Sequence, residues 1–146
     1  MIIGILGSTA LGIWTLFVQF GYRLIKGREY AIKMTAALAS HFAQANILQI
    51  AIAFLAAAGE EIFFRGFIQG KFGLLAGALA FMICHLGKKD IRIIGYWSFF
   101  QGLGLGLLYS MSGNLLSVMI AHGFFDCGAM VYFRFFMTST LQHNFK

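Results

Sequence analysis

The sequence predicts an all-α, polytopic transmembrane helix bundle with about five spans, a short interfacial helix and the N-terminus outside. Three observations lead there. The 146 residues are 60% hydrophobic and only 11% charged, whereas a soluble domain carries about 25% charged residues. The apolar residues run in long uncharged stretches separated by short basic connectors, the arrangement of cytoplasmic loops in membrane proteins. Proline is absent, so the long stretches contain no obvious helix breaker.

The first stretch, Met1 to Tyr22, is uncharged and long enough to span about 30 Å at 1.5 Å per residue. No basic side chain precedes it and it is too long for a signal core, so it reads as a retained membrane helix. Arg23, Lys26, Arg28 and Lys33 then form the most basic connector, against Glu29 alone. Tyr30 to about Gln44 reads as the interfacial helix, with His41 on its solvated side. The second span runs from about Asn46 to Gln69. Glycines around Lys71 close a tight turn. The third span begins near Leu74 and reaches Gly87 or slightly beyond. Lys88, Lys89, Asp90 and Arg92 make a second basic connector. The uncharged run from Ile93 to Phe125 is too long for one crossing, and Ser110-Met111-Ser112-Gly113-Asn114 is its turn-like cluster. That gives a fourth span of about Ile93–Tyr109 and a fifth of about Leu115–Met137. With the N-terminus outside, every charge-rich connector falls on the inner side. The chain divides into an N-terminal helix and interfacial segment (1–45), a four-helix core (46–137) and a cytoplasmic tail (138–146) that includes His143.

The net charge of +6 does not point to nucleic acid, because the basic residues occupy connectors and form no stripe on one face. Cys84 and Cys127 lie in apolar runs, where thiols act as small hydrophobes. Gly66 and Gly70, and Gly73 and Gly77, have the small-xxx-small spacing of close helix contacts. Gly102, Gly104 and Gly106 lack the strand-turn-helix setting of a nucleotide loop and read as packing residues.

The second span carries the residues that need explaining. Glu60 and Glu61 sit side by side in it, although the whole chain has five acidic residues. A carboxylate at the centre of a membrane helix costs roughly 2.5–3.5 kcal/mol, which marks a functional site by default. Glu61 and Arg65 are four apart and share a helix face, so they can pair. Glu60 points about 100° away and is free to face a cavity. Counting from the turns levels other ionisable residues with it. Glu60 lies about 12 residues before the turn near Phe72 and His85 about 13 after it, each roughly 18–19 Å from that turn. His122 and Asp126 lie about 10 and 14 residues after the turn near Ser112, or roughly 15–21 Å. Glu60, His85, His122 and Asp126 are therefore expected at one depth, on three spans.

These residues carry a resemblance. Glu60, Glu61 and Arg65 match a Glu-Glu-x-x-x-Arg motif, Phe81 and His85 a Phe-x-x-x-His motif, and His122 and Asp126 a His-x-x-x-Asn/Asp motif. In that order they resemble the CPBP family of CAAX proteases and bacteriocin-processing enzymes, also called the Abi family of intramembrane glutamate proteases. The stretch from Gly104 to Ala121 is similar to the family's approach to its third motif. The resemblance covers about residues 46–137. It implies peptide hydrolysis in an integral membrane protein, in a prokaryotic plasma membrane, without a cofactor. It implies Glu60 as general base on a water held with His85, and His122 with Asp126 stabilising the oxyanion. Arg65 would fix Glu61 and the helix end, with Phe81 in support. The implied partners are the lipid bilayer and a membrane-anchored protein or peptide bearing a CAAX-like, leader or sorting signal. Two features depart from the family. The chain is short, which implies a minimal substrate channel, and Asp126 stands where asparagine is common. An amide donates to an oxyanion directly, whereas a carboxyl group donates only when protonated; otherwise Asp126 orients His122.

Other chemistries fit less well. Glu60, His85, His122 and Asp126 are plausible zinc ligands, but the His-Glu-x-x-His helix of zinc proteases is missing. Ser112 and Ser117 are present, but Ser112 lies in a turn, roughly 15 Å along the helix from His122, and a Gly-x-Gly-Asp aspartyl signature is absent. The alternative class is a non-enzymatic membrane protein, whether a scaffold, a bacteriocin-immunity protein or a proton-linked transporter, since intramembrane acids and histidines also mark transport paths.

Overall fold

The computed structural model describes residues 1–42, 46–86 and 92–134. Lys88, Lys89, Asp90, Gln44 and the tail with His143 lie outside the described residues, as does the side chain of His41. Among the described residues every regular element is a helix: α1 (Ile2–Lys26), α2 (Arg28–Phe42), α3 (Ile47–Glu61), a π-helical segment (Ile62–Gln69), α4 (Gly70–Phe72), α5 (Leu74–His85), α6 (Arg92–Ser112) and α7 (Leu115–Tyr132).

Local signals set the boundaries. α1 runs past the expected end at Tyr22 because Arg23 and Lys26 belong to its last turn, where long basic side chains can reach outward from an apolar stem. Gly27, at φ 87°, separates it from α2. α3 opens on a capping box. The Gln49 amide donates to Asn46 Oδ1 (2.9 Å), and the Asn46 amide donates to Gln49 Oε1 (2.8 Å), satisfying two orphan donors reciprocally. The polar Asn46 and Gln49 thus serve to start the span. Gly73, at φ 90°, makes the turn into α5. The expected turn near Ser112 also forms, with Asn114 Oδ1 accepting from the Ser117 amide (3.2 Å) to cap α7.

Among the described residues three stretches are long and apolar enough to cross a membrane: Ile2–Lys26, Ile47–Phe72 and Leu115–Tyr132. The other two spans expected from sequence fall on the short apolar α5 and the longer, more polar α6, neither of which meets that length and hydropathy. α5 has 12 residues, about 18 Å of helix, and ends at His85 rather than at Gly87 or beyond. Its C-terminal end abuts α6 so tightly that a Cβ on Gly95 would meet Leu86 Cα at 2.8 Å.

Contacts fix the chain directions. α3 and α7 are antiparallel, with the Cys127 thiol near the Ile50 carbonyl (3.7 Å), the Phe54 ring on Gly123 and Leu115 beside Gly66. α5 and α6 are antiparallel through Gly95, Gly102 and Gly106, which face Leu86, Ala78 and Leu74. α1 runs parallel to α7, with Gly4 against Ile120 and Val18 in one cluster with Phe133. α2 folds back on the far end of this layer: Met34 and Ala39 join Val18, Ile94, Trp97 and Phe133 in a buried core, and Tyr22 stacks on Tyr30 at 5.5 Å.

Polarity is inverted relative to a water-soluble bundle. Ile13, Phe17, Leu55, Phe67 and Ile83 are among many large apolar side chains on the outside, while Glu61, Arg65, Gln69, Ser98, Gln101, Ser117 and His122 are buried. In hydrocarbon a polar group must find its partner inside the protein. With the long apolar helices, this distribution makes the chain an integral membrane protein.

The glycines divide into two groups. Gly102 and Gly106 have no room for a Cβ against α5, and Gly104 has none against Trp14 of α1, so their packing role holds. Of the small-xxx-small pairs, Gly77 alone makes a tight approach: a Cβ there would meet Gln69 Cβ at 3.0 Å and the Phe64 carbonyl oxygen at 3.2 Å. Gly66 and Gly70 meet ordinary spacing, and Gly73 serves the turn.

Candidate active site

The Glu-Glu pair falls where α3 passes into the π-helical segment. Winding of this kind is uncommon and concentrates at functional sites. No proline causes it here. Side chains on the segment reach α6 instead. Arg65 Nη2 donates to the Gly102 carbonyl at 3.1 Å and Gln69 Nε2 to the Gly106 carbonyl at 2.9 Å. Both acceptors are on glycines, so no side chain stands between the two helices.

The expected Glu61–Arg65 pair is present. Arg65 Nη1 lies 2.9 Å from Glu61 Oε1, and both side chains have zero solvent exposure. The arginine also sits over the Phe81 ring, Cζ 4.7 Å from its centroid, a favourable cation–π placement. The Phe81 ring is 5.8 Å from the His122 ring and 4.4 Å from the His85 ring. Phe81 is therefore the hub on which the cation and both imidazoles are arranged. His85 Nδ1 lies 2.8 Å from the Phe81 carbonyl one turn back, which fixes the direction of its ring.

The spacing argument did not foresee the partner of His122. Its Nδ1 lies 2.7 Å from Glu61 Oε1, the oxygen that also receives Arg65. Its Nε2 lies 3.4 Å from Asp126 Oδ2. With Nδ1–H donating to Glu61, Nε2 is the ring nitrogen left for Asp126. Glu61 thus does more than hold its own helix: it sets the tautomer and orientation of a histidine on α7.

Glu60 points away from this network, as the helical offset required. It lines a cavity of about 200 Å³ together with Phe81, His85, His122 and Asp126. The four residues that counting placed at one depth therefore meet around one space. Trp97, Ser98 and Gln101 of α6 form another wall of it. Sequence reasoning passed over these three, although Gln101 is an amide in the middle of an apolar run and was visible for that reason. Cys84 is exposed and Cys127 half-buried. Among the described residues no three His, Cys, Asp or Glu side chains are grouped closely enough to hold a metal ion.

No curated protein and no solved structure matches this chain. One family model does, described as type II CAAX prenyl endopeptidase Rce1-like, over residues 42–128. The match takes in the whole of α3, the π-helical segment, α5 and α6, all three motifs, and α7 beyond Asp126. The chain belongs to this Rce1-like branch of the CPBP family and is an intramembrane peptide hydrolase.

Proposed function

We propose that the protein cleaves a peptide bond of a membrane-anchored protein or peptide by a metal-free glutamate mechanism, with Glu60 as the base. The observation that carries this is the shared cavity: Glu60, His85, His122 and Asp126 all line it, while Glu61 is committed to Arg65 and His122. Glu61 is fully buried and does not line the cavity, so Glu60 is the glutamate placed to face a water.

In this reading Glu60 takes a proton from a water that His85 helps to position. The resulting hydroxide adds to the scissile carbonyl carbon, and negative charge develops on the carbonyl oxygen. His122 Nε2 and Asp126 share a proton: either the imidazole carries it as a cation or the carboxyl carries it as an acid. In both cases one N–H or O–H is available to the oxyanion, which accounts for an aspartate at a position where the family often has an amide. A single such donor typically contributes roughly 2.7–4 kcal/mol. Glu60 then returns its proton to the departing amine as the C–N bond breaks. The family model's name points to a prenylated CAAX tail as the first substrate to try.

The test is cleavage of a quenched fluorescent, farnesylated CAAX-type peptide, alongside a library of membrane peptides, by protein purified in detergent. Glu60→Gln should insert and purify normally and lose turnover. Normal turnover by Glu60→Gln would end the proposal.

A further inference from the structure

Resting on that reading, we infer that Gln101, with Trp97 one helical turn before it, is the positioning strip that receives the backbone of an extended substrate peptide. Both line the cavity that contains Glu60 and His85. Gln101 is 4% exposed and Trp97 8%, yet among the described residues Gln101 Oε1 and Trp97 Nε1 have no hydrogen-bond partner. Buried polar groups are nearly always paired, and each exception asks for an explanation.

The orientation of the Gln101 amide follows from its neighbours. The Thr15 hydroxyl donates to the Leu11 carbonyl at 2.8 Å, so it offers its lone pairs to Gln101. Gln101 Nε2 donates to Thr15 Oγ1, and Oε1 is left as the open acceptor. Trp97 can only donate. Its ring is held by stacking on Phe125, centroids 6.2 Å apart. Ser98, between them in sequence, is spent on the Ile94 carbonyl at 2.9 Å. The wall therefore holds one unpaired acceptor and one unpaired donor just beneath the cavity surface, four residues apart on one helix face and about 5–6 Å apart at Cβ, which an arriving peptide reaches by displacing the side chains over them. A residue in an extended chain offers the complement, its own N–H and C=O on the same edge. A lipid chain offers neither group, and a single ion cannot serve both.

The experiment uses whichever peptide the wild-type protein cleaves, resynthesised with one N-methylated bond at a time around the cut. At one position N-methylation should lower kcat/KM about tenfold for the wild type and less than twofold for Gln101→Leu. Gln101→Leu alone should raise KM about tenfold with kcat held within about threefold, a split that general misfolding would not give. Should Gln101→Leu fail to fold, Thr15→Val frees the amide to turn and should blur the same positional penalty, while Thr15→Ser should behave as wild type. Equal N-methylation penalties in wild type and variant at every position would overturn the inference while leaving the protease intact. Failure of the wild type to cut any peptide would instead remove the protease reading and this inference with it.

Discussion

His122 Nδ1 lies 2.7 Å from Glu61 Oε1, joining α7 to α3 by a bond between two buried side chains. Because Arg65 uses the same oxygen, one carboxylate ties a cation, an imidazole and two helices together. Truncating it strands a positive charge away from water. Glu61→Ala should therefore destabilise the bundle by about 3–5 kcal/mol, the usual penalty for breaking a buried pair from one side. Thermal unfolding in detergent measures this, and a change within experimental scatter would show that the shared oxygen contributes little.

Asp126 supplies a second expectation. If its role is to share a donor with His122 Nε2, 3.4 Å away, an amide of the same shape should do as well. Asp126→Asn should keep most of the peptidase activity. Asp126→Ala should lose roughly 10²–10³ in kcat, the range for removing one oxyanion donor. Inactive Asp126→Asn beside a folded protein would point to a charged role for Asp126.

The α5–α6 contact makes a prediction about packing. A Cβ on Gly102 would stand 3.1 Å from the Ala78 Cα, which is backbone and cannot swing aside. Gly102→Ala should cost about 1–3 kcal/mol and disturb the carbonyl that receives Arg65. Among the described residues nothing lies within 4 Å of a would-be Cβ on Gly128, so Gly128→Ala should be neutral or slightly stabilising. Unfolding of the two variants side by side separates packing from helix propensity.

The reaction is expected to proceed without a bound metal. Dialysis against a strong chelator should leave the rate unchanged, and elemental analysis of active protein should find no stoichiometric zinc. Loss of activity that zinc restores would overturn this expectation.

The architecture was largely legible because membrane helices announce themselves by length and by basic connectors. The Glu61–Arg65 pair and the meeting of Glu60, His85, His122 and Asp126 were legible for a related reason. Helical rise and periodicity turn residue counts into depth and direction. What counting could not supply was rotation between helices. That Glu61 rather than Asp126 receives His122 Nδ1 depends on how α7 is turned against α3. On α6, Gln101 stood out as an amide in an apolar run, but that it and Trp97 wall the same cavity as Glu60 depends on how α6 packs against α5 and α7. α5 ends at His85, two residues short of the expected Gly87, where the Leu86 N–H closes on the Ile83 carbonyl at 3.2 Å.

Between Ile62 and Gln69 the chain winds more loosely than an α-helix, so this stretch holds a residue beyond what ordinary winding would use. Deleting one residue there would let it tighten into regular helix with little change in reach. The two ends would then fall out of phase: either the glutamates would turn from the cavity, or Arg65 and Gln69 would swing off the carbonyls of Gly102 and Gly106. A spare residue in the middle of a membrane helix is thus what lets one continuous rod face the chemistry at one level and grip its neighbour at another.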